Sequence, residues 1–168
     1  MTRAADDAES VRRLINFGFD SRREISGLVG INGKMDELHA AMALAALDGF
    51  DDVLAARRAR AATLRQGLLA AGYAVQACSE MSAFQFVPCL ALDATTRDRS
   101  LASAERAGIE VRSYFSPPLH RYPAFRDIER ADDLRVTEHL SRRTLSLPMA
   151  NDLSDEAVAS ILAATIVD

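Results

Sequence analysis

Two stretches of this 168-residue sequence gather the residue types that do chemistry. The first runs from Gly30 to Glu37 and sets Asn32 and Lys34 beside glycines, just ahead of an apolar periodic segment. Helix N-termini expose unpaired N–H groups and a partial positive charge, so a glycine-bounded loop feeding one is a place where anions bind. A lysine in that first turn is electrostatically misplaced unless it too serves an anion. The pattern suits a phosphate or a carboxylate. It suits plain capping as well, with Asn32 closing the helix, Lys34 in solvent, and Asp36 and Glu37 complementing the dipole.

The second stretch, Val111 to Phe125, holds Arg112, Tyr114, His120, Arg121 and Tyr122 around Pro117 and Pro118. The prolines stiffen a loop that follows a strand-like segment. Histidine and tyrosine tips can donate to phosphate oxygens, and Arg121 can grip one through two parallel bonds. The same residues also fit an aromatic-packed connection whose polar tips are simply exposed. Spacing alone does not separate the two.

These loops need elements to hold them. Residues 5–15 read as a short helix with acid at its start and arginine at its end. Glycines follow at 18, 27, 30 and 33. From Met35 to Leu47 apolar residues recur at 35, 38, 42 and 45, with Ala41, Leu44 and Ala46 beside them. That is a helical period, apolar round most of its circumference, and it predicts a buried helix. Phe50 to Ala71 predicts a longer helix with Leu54, Ala61, Leu64 and Leu68 on one face and Gly72 as its C-cap. Arg57, Arg58, Arg60 and Arg65 on that helix read as a solvated face, since no aromatic residues interleave them as a nucleic-acid surface would require. Residues 83–91 and 109–113 read as strands. Thr96–Ala107, Val136–Leu145 and Ser154–Ile166 read as helices, the first closed by Gly108 and the last opened by Ser154 or Asp155. Strands alternating with helices give an α/β or α+β chain.

Composition narrows the classes. The length suits one ordinary domain or one large piece of something bigger. A net charge of −4 argues against nucleic acid as the main partner, and no apolar run approaches the roughly 18–20 residues that cross a bilayer, so no membrane partner is expected. The start turns acidic at Asp6 and Asp7 where a signal peptide needs an apolar stretch, so the expected location is cytoplasmic. Cys78 and Cys89 lie apart among apolar neighbours and read as reduced, buried, inert thiols. His39, His120 and His139 are far apart and make no metal motif.

Four segments in register resemble one family: Asn16–Asp20, Gly30–Met42, Tyr114–His120 and Thr137–Met149. Together they look like the DegT/DnrJ/EryC1/StrS family of pyridoxal-phosphate (PLP) dependent aminotransferases acting on nucleotide-linked keto-sugars. The resemblance implies an α/β fold, the C-terminal portion of a fold-type-I PLP-dependent transferase, helix-rich with a small sheet. Residues 1–50 would be the tail of the large PLP-binding domain, including the Gly-x-Asn-x-Lys-Met loop and its helix, and residues 51–168 the small C-terminal α/β domain. The family's Schiff-base lysine is expected to fall before the position of Met1. Lys34, the only lysine, aligns with the basic position of the Gly-x-Asn loop, so no catalytic residue is assigned.

By the same resemblance, Asn32 is the cofactor-binding residue, reaching the PLP phosphate of a neighbouring subunit, and Tyr114 and His120 are substrate-binding. The implied reaction is a ping-pong transfer from glutamate or a similar amino donor to a nucleotide-diphosphate sugar. The chain is expected to be inactive alone and to act as a homo-oligomer or in a complex with a chain bearing the PLP lysine, with no nucleic acid and no membrane. The alternative is a non-catalytic binding or oligomerisation module derived from that family.

Overall fold

A computed structural model describes residues 5–25, 27, 29–77 and 82–167. The chain divides into two compact units, Met1–Phe50 and Asp51–Asp168.

In the first unit, helix α1 (Ala5–Leu14) opens with Asp6 and Asp7 and closes with Arg12 and Arg13, each matched to the helix dipole. The following loop folds back on its end: Ile31 N–H donates to the Leu14 carbonyl at 2.8 Å, Phe17 N–H to Ile31 at 2.9 Å and Gly33 N–H to Ile15 at 2.9 Å. A Cβ on Gly30 would collide with the Leu14 carbonyl, so only glycine permits this approach. Helix α2 (Glu37–Asp48) is capped by Asp36, whose Oδ1 accepts the His39 N–H at 2.8 Å. The cap is therefore Asp36, not Asn32, because Asn32 is drawn into a backbone bridge with Asn16 five residues before the helix starts. The helix period is as expected, but its burial is not. No residue of α2 is buried, and Leu38, Met42, Leu44 and Leu47 are each more than 60% exposed.

The second unit is built on helix α3 (Phe50–Ala70), which buries Ala61, Leu64 and Leu68 completely. Gly72, at φ +82°, ends it. Strands β1 (Ala74–Val75), β2 (Val87–Leu90) and β3 (Thr144–Leu147) form an antiparallel sheet in that order, with Val87 opposite Leu147 and Leu90 opposite Thr144. Helix α4 (Ala94–Arg106) is capped by Asp93 and packs on α6 (Asp155–Thr165), which is capped by Ser154. Between them come two 3-10 turns, Leu119–Arg121 and Pro123–Phe125, and the short helix α5 (Arg135–Ser141). Leu64, Leu68, Val87, Cys89, Leu145, Leu147, Val158 and Ile161 make the core. Tyr73 is buried with them, and its hydroxyl is satisfied by Ser100 Oγ at 2.9 Å and by the Thr165 carbonyl at 3.1 Å.

Three strand and helix expectations shift. The strand over 83–91 shortens to β2, since Arg57 donates to the Ala83 carbonyl at 3.0 Å and the Phe84 carbonyl at 2.9 Å and so occupies groups a ladder would use. Residues 109–113 make only a single bridge, Arg112 with Ser146. The helix over 136–145 stops at Ser141 and the chain re-enters as β3, because two short periods abut and imitate one longer helix. Burial pushes the Cys89 thiol up to about 12, which makes it inert at neutral pH. Cys78 lies outside the described residues. Among the described residues no helix is long and apolar enough to cross a membrane.

Candidate functional site

The Arg112–Ser146 bridge brings the proline-containing loop alongside β3. From there hydroxyls tie it down. Ser113 Oγ donates to the Thr144 carbonyl at 3.0 Å, Thr144 Oγ1 donates to the Tyr114 carbonyl at 3.2 Å, and Arg97 on α4 reaches Ser116 Oγ at 3.3 Å. Serine and threonine at these positions suit a loop whose backbone groups find no full strand partner. The loop then passes into the 3-10 turn that carries His120.

Tyr114 and His120 both line one cavity of about 550 Å³, together with Phe115, Pro118, Leu140 and Thr144. The cavity is walled mainly by apolar groups with a few convergent polar tips, the common make-up of a small-molecule site. The Tyr114 ring packs against Phe86, with centroids 5.4 Å apart, and against Phe115, at 5.1 Å. Its hydroxyl accepts from Arg112 at 2.8 Å, and Arg112 is itself held by Glu110 at 2.7 Å. Those contacts hold the Arg112 guanidinium above its ordinary value, the bonds to Glu110 first and to Tyr114 second.

His120 is mostly buried, and its Nε2 lies 2.7 Å from Glu138 Oε1, within hydrogen-bond distance. Arg121 grips the same carboxylate with two bonds, Nε to Oε1 at 2.6 Å and a terminal nitrogen to Oε2 at 2.8 Å. The Arg121 bonds first, and the His120 bond second, pull the Glu138 carboxyl down to about 2. Arg121 thus grips a carboxylate of the chain itself, where its sequence suggested a phosphate.

Glu138 is the residue the sequence reading missed. It lies within the Thr137–Met149 segment, but 18 residues separate it from His120, and a glutamate on a short helix otherwise reads as surface charge. Its depressed value has a pH consequence. The interaction stabilises the fold fully above the usual carboxyl value near 4.5 and is lost as pH falls through about 2. Acid unfolding followed by circular dichroism should therefore be less steep between those limits for Glu138→Gln than for the wild type. Superimposable curves would contradict this.

Asn32 belongs to the other unit. It is exposed, and its backbone bridges Asn16. Lys34 is not loose in solvent: its Nζ donates to Asn16 Oδ1 at 2.8 Å and lies 4.9 Å from the centre of the Phe17 ring. Both contacts suit an ammonium ion. A cavity of about 450 Å³ beside them is lined by Asn16, Phe17, Phe19, Asp20, Arg23 and Lys34, and not by Asn32. The structure therefore brings Tyr114 and His120 to one cavity, while Asn32 is described within its own unit.

Comparison with known proteins matches residues 1–165 to the model of the DegT/DnrJ/EryC1/StrS aminotransferase family. The chain is 34% identical over 159 residues to Protein Rv3402c of Mycobacterium tuberculosis, covering 93% of this chain and 38% of that protein. It is 27% identical to the dTDP-4-amino-4,6-dideoxy-D-glucose transaminase of Shigella dysenteriae, covering 92% of this chain and 43% of that one. A crystal structure of a DegT DnrJ EryC1 StrS aminotransferase from Brucella abortus superimposes with a TM-score of 0.84 at 26% identity, over 98% of this chain and 44% of that one. The chain spans less than half the length of each of these.

Proposed function

The chain belongs to the DegT/DnrJ/EryC1/StrS aminotransferase family, and on that premise we propose that it is the C-terminal, sugar-recognising part of a PLP-dependent aminotransferase. The substrate would be a nucleotide-diphosphate sugar carrying a ketone, aminated at the expense of glutamate or a similar donor. The observation that carries the reading is the shared cavity of Tyr114 and His120, in a chain whose family match runs almost end to end. The name of the Shigella relative, a transaminase of a dTDP-linked amino sugar, supports the substrate class. On this reading residues 1–50 are the tail of the PLP-binding domain and residues 51–168 the small domain.

The residues present fit the cofactor only in part. Asn32 offers an exposed amide that can donate to a phosphate oxygen held on a second chain. The sole lysine is engaged by Asn16 and Phe17 in contacts that suit a cation, whereas an attacking amine must be neutral. A lysine-bearing partner chain or segment would supply the covalent chemistry of the bound cofactor. The exposed Leu38, Met42, Leu44 and Leu47 of α2 favour a second reading, a non-catalytic module that binds the sugar nucleotide or assembles with a partner.

The two loops make different demands. Asn32 needs a cofactor to contact, whereas the Tyr114–His120 cavity is built locally. Calorimetric titration of the chain with dTDP-glucose should therefore show weak binding that falls about tenfold in His120→Ala, the loss of one good hydrogen bond, and changes little in Asn32→Ala. Equal affinity in all three proteins, or loss in Asn32→Ala alone, would put the contact on the wrong loop.

A further inference from the structure

We propose that Glu138 is the positioning residue of this site: it fixes His120 as the Nε2–H tautomer, so that Nδ1 is the ring nitrogen offered to the ligand. The inference rests on the sugar-nucleotide reading for its ligand and on geometry for the rest.

An ionised carboxylate only accepts hydrogen bonds, so a ring nitrogen 2.7 Å from Glu138 Oε1 must carry its proton. The carboxylate cannot turn away to release it. Arg121 holds both oxygens, and a guanidinium fork fixes the carboxylate plane. The bond also crosses between elements, from the 3-10 turn after the prolines to helix α5, so it sets the ring against the cavity that α5 helps to line. With Nε2 committed, a neutral imidazole has one acceptor left. Nδ1 meets no protein partner among the described residues. A neutral His120 therefore takes a hydrogen bond from a hydroxyl of the ligand and gives none. This is the second-sphere logic by which a carboxylate selects the tautomer of a functional histidine.

Two readouts test it at pH 8.5. Nitrogen-15 spectra of the ring should show a proton on His120 Nε2 and a bare Nδ1 in the wild type. Glu138→Gln keeps an acceptor carbonyl and should preserve that pattern, while Glu138→Ala should give mixed tautomers. In titrations with dTDP-glucose, Glu138→Ala should lose about tenfold in affinity, Glu138→Gln less than about threefold, and His120→Ala with Glu138→Ala no more than His120→Ala alone. A wild-type ring protonated on Nδ1 overturns the proposal without any variant, so it stays decidable even where Glu138→Ala fails to fold. An unchanged tautomer and affinity in a folded Glu138→Ala overturns it too. If dTDP-glucose does not bind, or binds regardless of His120, the sugar-nucleotide reading fails, and the spectra alone still decide what Glu138 does to the ring.

Discussion

Supplied with PLP, glutamate and a nucleotide-linked keto-sugar, the purified 168-residue chain is expected to form no measurable amino sugar. Amino transfer needs a neutral amine to bind the cofactor and a base to move a proton at the reacting carbon. A positioned proton carrier alone contributes about 10²–10⁴-fold, and the covalent role comes on top. The one lysine of the chain is tied to Asn16 Oδ1 at 2.8 Å and faces the Phe17 ring. Cys89 is buried with its thiol pushed up to about 12 and cannot substitute as a nucleophile. The assay measures 2-oxoglutarate release and the cofactor absorbance spectrum together. Turnover, or a spectral change that disappears in Lys34→Ala, would make Lys34 the cofactor's anchor and reverse this account of the loop.

Self-association should be the second large effect. Helix α2 buries none of its residues, yet Leu38, Met42, Leu44 and Leu47 run along it, and Met35 and Ile31 just before it are exposed as well. An apolar surface of this extent is covered in most stable proteins by a partner. We expect a second copy of the chain to cover it, so that light scattering at micromolar concentration gives a mass of at least twice 18.3 kDa. Leu38→Glu with Met42→Glu should return the mass to that of one chain, because two carboxylates cannot be desolvated in such a contact. A folded wild-type chain at the mass of one copy would contradict the expectation.

The sequence made some of this legible and hid the rest for physical reasons. Helix ends marked by local chemistry could be read: Gly72 and Gly108 terminate α3 and α4 at positive φ, and Ser154 caps α6. Capping of α2 was harder, since Asn32, Asp36 and Glu37 all suit an N-terminus and only the Asn16 bridge takes Asn32 out of contention. The short strands were the least readable. Two residues define β1 and four define β3, too few for alternation to show, and their existence depends on pairing with β2. Tyr114 and His120 lie in the proline-containing stretch that residue type singled out, but only the family resemblance picked them from among its polar residues. Glu138 could not be nominated, because what joins it to His120 is a contact across 18 residues of chain, settled by the turn at 119–121 and the placement of α5.

The most direct test of the central claim is to map, amide by amide, where a sugar nucleotide meets the chain. Proton–nitrogen correlation spectra recorded through a titration with dTDP-glucose should shift the amides of Phe115, Leu119, His120, Leu140, Ser141 and Thr144, which surround the cavity. The amides of residues 16–34 should stay still. Shifts confined to residues 16–34, or a spectrum that does not move at ligand concentrations in the millimolar range, the weak end of specific binding, would contradict the assignment of this cavity as the sugar-nucleotide site.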